Sequence, residues 1–394
     1  MTTTRRNSVI ATITFVISMI VISSTIGYWM GGISTRIVPN TLSQTPEANV
    51  SATQNETKKD VLFPNQFGTY IIFQNDSIYC AQNGLTGAID YNNTDAATVI
   101  NWALKAIPDL GTVKVNGMVR LDNSVIIDGN VIGQKNLEFD FDGFYLGADI
   151  DAIVINNFEA FEGDAYFYFD VKVCGKIITA DVLGAALDHT HSLVRFGTGT
   201  GPVFGVDVDI GTLAGNYANG NSIAIYMGGG DGASFMNNRI KIKNIVKVKH
   251  VLDVELSGNA WASINNFDLG YFEGESPQQI YIKKSGTDAF HNNIIKGCGG
   301  WPSFWNPNNL SPLWTIRLET DGTGKIEGTT FSEFYIYTAE DEIYRAIGNV
   351  IGTTFVGGMV RSDLTAYWYD AGKGTDIISD YIVNKGRATI LHPP

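Results

Sequence analysis

The chain has 394 residues, 44% hydrophobic and 17% charged, so it can build a large core and is not a solvating polymer; length alone suggests two or three domains. Its 27 basic and 40 acidic side chains leave a net charge of −13, which excludes a general nucleic-acid binder, because phosphate contacts need excess Lys and Arg. Cys80, Cys174 and Cys298 are odd in number and at no metal-binding spacing, which excludes a zinc module and a complete disulfide framework, while 43 Gly, 17 Tyr and 21 Phe against 11 Pro favour strands and tight turns.

From Ser8 to Thr35 there is no Lys, Arg, Asp or Glu, and Val9 to Trp29 is mostly Ile, Val, Phe and Met. About 20 apolar residues span a bilayer as a helix. Tyr28 and Trp29 fit the outer interface, and Arg5 and Arg6 place the N-terminus in the cytoplasm and the rest outside. Residues 1–36 therefore read as a cytoplasmic tip and transmembrane anchor. The competing reading is a cleaved signal peptide, but the run is long for one and no small-x-small site follows it cleanly. Residues 37–66, rich in Thr, Asn, Gln and Pro, read as a flexible stalk. Asn-x-Ser/Thr sequons at Asn49, Asn55, Asn75, Asn92 and Asn309 are candidate glycosylation sites.

A helix is expected over about 94–107. Thr94-Asp95 offers an N-cap, Val99, Ile100, Ala103, Leu104 and Ile107 share one face, and Pro108 and Gly111 stop it. Beyond it the apolar period is 2, as in Phe139-Asp140-Phe141-Asp142, Val206-Asp207-Val208-Asp209-Ile210 and Arg239-Ile240-Lys241-Ile242-Lys243. An Asn-Asn pair precedes such strands at Asn237-Asn238, Asn265-Asn266 and Asn292-Asn293. Aligning Ile240, Phe267 and Ile294 gives spacings of 27 and 27. Asn156-Asn157 lies 81 residues before Asn237-Asn238, Gly328-Thr329-Thr330-Phe331 returns 24 residues on as Gly352-Thr353-Thr354-Phe355, and Gly129–Gly133 returns as Gly348–Gly352. A fixed period in this range signals a solenoid. Several short strands per 24 to 28 residues, with Gly and Asn at corners, predict a parallel β-helix in which the Asn pairs form an internal ladder and the helix caps the N-terminal end. Residues 67–394 then form one ectodomain of net charge −15, with about 12 coils in a rod of roughly 60 Å at about 4.8 Å per strand.

Cys80-Ala81-Gln82-Asn83-Gly84, Ile89-Asp90-Tyr91, Thr94-Asp95-Ala96-Ala97-Thr98-Val99-Ile100 and Gly111-Thr112-Val113 together resemble the opening segment of pectate-lyase-like (pectin lyase fold) proteins, most closely versions from archaeal surface and viral proteins. The resemblance covers roughly 67–394. It implies an all-β, right-handed parallel β-helix, and says little of activity, since such proteins include lyases, hydrolases, tailspikes and non-catalytic surface proteins. Arg239-Ile240-Lys241 matches a segment of the related hydrolases, but their Gly-His-Gly turn and adjacent Asp pair are missing, and no dense acid cluster for a lyase-type calcium site stands near Arg195 or Arg239.

Asp140/Asp142 and Asp207/Asp209 are same-face acid pairs about 7 Å apart, which can serve as general acid and base on a glycosidic bond or bind calcium, or simply be the polar outward positions of strands. His189 and His191 form a second same-face pair that lacks a third metal ligand. Arg239, Lys241, Lys243, Lys247 and Lys249 put five positive charges in 11 residues, a candidate surface for an acidic polysaccharide; Lys241 is expected over Asp268 as a cross-strand ion pair. Trp301, Trp305 and Trp314, with three prolines, mark an insertion whose indole faces can stack on sugar rings. Together these predict a membrane-anchored cell-surface protein with a carbohydrate-binding, adhesive or structural role. The alternative is a polysaccharide lyase or glycoside hydrolase acting on acidic glycans.

Overall fold

The computed structural model describes residues 68–394 except 159, 163–164, 168, 181–187, 217–220, 275–278, 300–313, 339–341, 363–366, 371–372, 379–381, 385–388 and 392–394. All belong to one unit, Phe63–Pro394. The expected membrane span, the stalk, Asn49, Asn55 and Asn309 lie outside the described residues. Among the described residues no helix is long and apolar enough to cross a membrane.

The fold is an all-β solenoid. Apart from an antiparallel start (Thr69–Asn75, Ile78–Asn83, Ile89–Asn93) and a small hairpin (Ala160–Glu162 with Ala165–Phe167), the paired strands run parallel, each with the strand one coil later. A coil contributes a long strand such as Val206–Ala214, a middle strand such as Ile223–Gly229 and a three-residue strand such as Ser234–Met236. These build three ladders, here the long, central and short ladders.

Alternation dictates which side chains enter the core. On the long ladder Val113, Phe139, Val173, Val208, Ile240, Phe267, Ile295 and Phe331 stack in register and are buried. Fully burying each such side chain contributes about 1.5–3 kcal/mol. Helix α1 (Ala96–Ala106) adds its own apolar face at the N-terminal end, where Val99, Ile100, Ala103 and Leu104 are fully buried. Asp95 accepts from the Thr98 N–H, and Lys135 Nζ donates to the Lys105 and Ile107 carbonyls at the other end, so each helix terminus carries a side-chain cap.

The corner between the short and long ladders is nearly uniform. It opens with a positive-φ residue at Gly205, Asn237, Ile264, Asn292, Gly328 and Gly352 in successive coils. The next residue points inward, and at Asn238, Asn265 and Asn293 these form a buried ladder. Asn265 Oδ1 accepts from the Asn238 backbone N–H (3.1 Å) and Nδ2 (2.9 Å), while Asn265 Nδ2 donates to Phe235 O and Asn293 Oδ1. Every polar atom of that amide is used, which is what permits burial.

Several expectations need correction. Phe267 pairs with Ile295, not Ile294, so the second spacing is 28, and the buried Asn is not always the same member of its pair. Asn156-Asn157 stands elsewhere: Asn157 Nδ2 bonds Asp128, and Phe158 bridges to Val203 on the short ladder. Gly129–Ile132 is a short helix, α2, whereas Val350 and Ile351 are strand. The 24-residue return holds, since Thr330 pairs with Thr354 and Phe331 with Phe355. A constant period fails because the connection from long to central strand ranges from one residue (between Val248 and His250) to 14 (between Gly299 and Trp314). Strand pairing fixes the strands, and this corner absorbs the difference.

Candidate functional site

The acids and bases singled out by spacing lie together on the outward face of the long ladder. Asp140 and Asp209 both oppose Cys174 in register, so they are two strands, about 9.6 Å, apart. Rows of charge alternate in sign up the face: Glu138/Asp140/Asp142, Lys172/Lys176, Asp207/Asp209, Arg239/Lys241/Lys243, Asp268, Lys296. Lys114 lies 3.7 Å from Asp140, Lys176 2.5 Å from Asp142 and Lys241 3.1 Å from Asp209. The Gly117 N–H and Lys176 hold the Asp142 carboxyl below its usual range. Lys241 does oppose Asp268, but its ammonium bonds Asp209 on the other side. A shallow groove of about 600 Å³ runs over this face, between Lys176 and Lys243.

The other sequence candidates are distributed as follows. His189 is fully buried, bonded to Ser222 Oγ (2.8 Å) and Ile150 O (2.9 Å), while His191 is exposed and bonds Asp149 (2.8 Å). The two imidazoles do not share a face, because residues 188–190 are not a strand. Among the described residues no group of three His, Cys, Asp or Glu is placed to hold a metal ion. The three cysteines are free. Asn75 and Asn92 are exposed, Asn75 at a hairpin end and Asn92 in the strand Ile89–Asn93. Trp301 and Trp305 lie outside the described residues, in the segment joining the long-ladder strand Ile294–Gly299 to the central-ladder strand Trp314–Thr320, which Trp314 opens.

The most unusual chemistry is on the outward face of the central ladder. Arg195, Tyr226, Asp253, Tyr281, Arg317 and Arg345 stack in register, one per coil, and Glu255, Lys283 and Glu319 form the next column. Arg195 is held from below: Asp151 Oδ2 accepts from its Nη1 at 3.0 Å and Gly197 O from its Nε at 2.9 Å. Its guanidinium lies 5.0 Å from the Tyr226 ring centroid, and that of Arg317, ion-paired with Glu319, 5.7 Å from that of Tyr281. The Tyr226 ring folds back over Gly228, where an added Cβ would lie 2.3 Å from a ring carbon.

Between the two tyrosines sits Asp253, only 5% exposed. Its Oδ1 is buried and has no hydrogen-bond partner among the described residues, and its Oδ2 is 4.0 Å from His250 Nε2. Burial, and then Glu255, push its pKa up to about 7 against the pull of Lys249. Burial likewise raises Tyr226 and Tyr281 to about 12, so both stay neutral. A buried carboxyl oxygen without a hydrogen bond costs stability, and such groups cluster at functional sites. Beside it, Arg195, Tyr226, Glu255, Lys283 and Ser257 line a cleft of about 350 Å³. Sequence reading passed over this face. Asp253-x-Glu255 has the same spacing as Asp140-x-Asp142, but its tyrosine and arginine neighbours come from other coils, at separations set by variable connections.

No known protein family, characterised protein or solved structure matches the chain.

Proposed function

We propose that this chain is a right-handed parallel β-helix on a membrane tether that binds an acidic polysaccharide outside the cell along its central-ladder face. The observation that carries the reading is the Arg195–Tyr226–Asp253–Tyr281–Arg317 column: neutral aromatic rings backed by guanidinium groups, with Lys283 alongside, in a protein of net charge −13. Tyrosine faces stack on sugar rings, arginine and lysine attract carboxylate or sulfate, and repeating coils suit a repeating ligand. Trp314 opens the strand that carries Arg317; Trp301 and Trp305 are proposed as sugar-stacking groups on the sequence alone. Arg239, Lys241 and Lys243 form a more exposed cationic row on the long ladder. The right-handed winding follows from the general handedness of parallel crossovers and from the family resemblance. The tether and the outward location rest on Arg5, Arg6 and the apolar run from Val9 to Trp29.

A specific observation favours a catalytic second reading. Asp253, whose carboxyl burial pushes up to about 7, and exposed Glu255 two residues on put two carboxyls on one strand face, the kind of pair glycoside hydrolysis uses. One experiment separates the two. A glycan array probed with the chain, with Trp301→Ala and Trp305→Ala as controls, should show retention of uronate- or sulfate-bearing glycans that high salt weakens. Absence of acidic-glycan binding removes the proposal. Release of reducing or unsaturated ends from bound glycans, abolished by Glu255→Gln, replaces binding with catalysis.

A further inference from the structure

We propose that the outward face of the short ladder carries a second binding site, for a neutral pyranose unit centred on Trp261. The short strands Trp261–Ser263, Ala289–His291 and Lys325–Glu327 stack in register. Two outward columns result, Ser234–Trp261–Ala289–Lys325 and Met236–Ser263–His291–Glu327. Trp261 thus stands between two small residues, Ser234 and Ala289, and no long side chain precedes or follows it in its column until Lys325. Buried Phe204 braces the indole at a centroid distance of 5.8 Å. The result is a fixed, half-buried aromatic platform at the floor of a groove of about 640 Å³.

The rim supplies what hydroxyl groups need. Exposed Asp288 and Glu327 are acceptors, exposed Lys325 is a donor, and His291 is oriented by Ser263 Oγ at 3.3 Å and Asn292 Nδ2 at 3.2 Å. Two carboxylates against one ammonium leave the rim without the excess of cations that an acidic ligand needs. That selects an uncharged ligand rich in donors and acceptors, with one apolar face to lie on the indole, which describes a pyranose ring. This chemistry differs from that of the central face, with its stacked tyrosines and guanidinium groups, and the two sites lie on different ladders. A protein holding one chain at each can cross-link glycans, with the gain in avidity that two linked sites bring. The cross-linking consequence rests on the central-face reading, whereas the Trp261 site does not.

The test uses the full chain and two neutral hexasaccharides, cellohexaose and mannohexaose, with binding followed by intrinsic fluorescence and folding by melting temperature. At least one hexasaccharide should bind. Trp261→Ala should weaken it about tenfold or more and Trp261→Phe by about threefold or less, while Tyr226→Ala leaves it unchanged. Equal binding by wild type and Trp261→Ala, or no response to either hexasaccharide, overturns the site. So does preferential Trp261-dependent binding of 1,6-diaminohexane, which would make it a cation site. If an acidic oligosaccharide fails to bind while Trp261-dependent binding persists, the central-face reading falls and the Trp261 site stands.

Discussion

The outer faces of the long and central ladders are built from the same two-residue alternation, yet they treat charge in opposite ways. On the long ladder Asp140, Asp142 and Asp209 each meet a lysine from a neighbouring coil, and these charges stay in water. On the central ladder Asp253 is pressed between two tyrosines with one oxygen unpaired. Paired, exposed charge is what a soluble sheet face needs and is worth little on its own. A buried carboxyl with one oxygen lacking a hydrogen bond lowers stability, and such groups cluster at functional sites. The comparison also shows why counting same-face acids along one strand misleads. Asp140-x-Asp142 and Asp253-x-Glu255 look alike in sequence, and only the neighbours above and below tell them apart.

Four substitutions test this contrast. The largest effect belongs to Asp253→Asn. Its folded pKa of about 7 stands above the ordinary 3.8, so the native state holds the proton more tightly and this group's stability contribution is lost as pH rises from about 4 through 7. Three units at about 1.4 kcal/mol each make a penalty on the order of 4 kcal/mol at pH 8. Urea unfolding should therefore find Asp253→Asn more stable than wild type at pH 8 and nearly equal at pH 4. Equal stability at both values would mean that the carboxyl is solvated.

Gly228→Ala comes next. Its Cβ would lie 2.3 Å from the Tyr226 ring, so the ring must leave its place beside Arg195, costing about 1–3 kcal/mol and weakening acidic-glycan binding. An unchanged melting temperature with unchanged binding would show that the stacked column is not required. Ile264→Gly touches neither face and sets the scale. Ile264 has a φ of +58°, strained for a β-branched side chain, so glycine should raise stability by about 1 kcal/mol in chemical denaturation. The smallest effect is expected from Lys241→Ala on the long ladder, within about 0.5 kcal/mol by the same measurement. A larger loss there would make the paired face a structural element and narrow the contrast.

Much of the solenoid was legible in the sequence because its most regular corner is also its most local. A positive-φ residue followed by an inward Asn leaves the pairs Asn237-Asn238 and Asn292-Asn293, in Asn265-Asn266 the inward Asn is followed by the first residue of the next strand, and alternation marks each following strand. The α1 face was legible for the same reason, since Asp95, Val99, Ile100 and Leu104 act within three turns. The central face was not. Tyr226, Asp253, Tyr281 and Arg317 are 27, 28 and 36 residues apart and become neighbours only through pairing across connections of unequal length. Ile264 hid a corner as well, because nothing about isoleucine announces a left-handed backbone.

Whether the central-ladder face binds acidic glycan and the long-ladder face does not is read by titrating oligogalacturonate into two double variants by calorimetry. Tyr226→Ala/Arg317→Ala, on the central ladder, should lose at least about tenfold in affinity relative to wild type, while Arg239→Ala/Lys243→Ala, on the long ladder, should lose about threefold or less. The reverse order, with the long-ladder variant crippled and the central-ladder variant intact, would contradict the account.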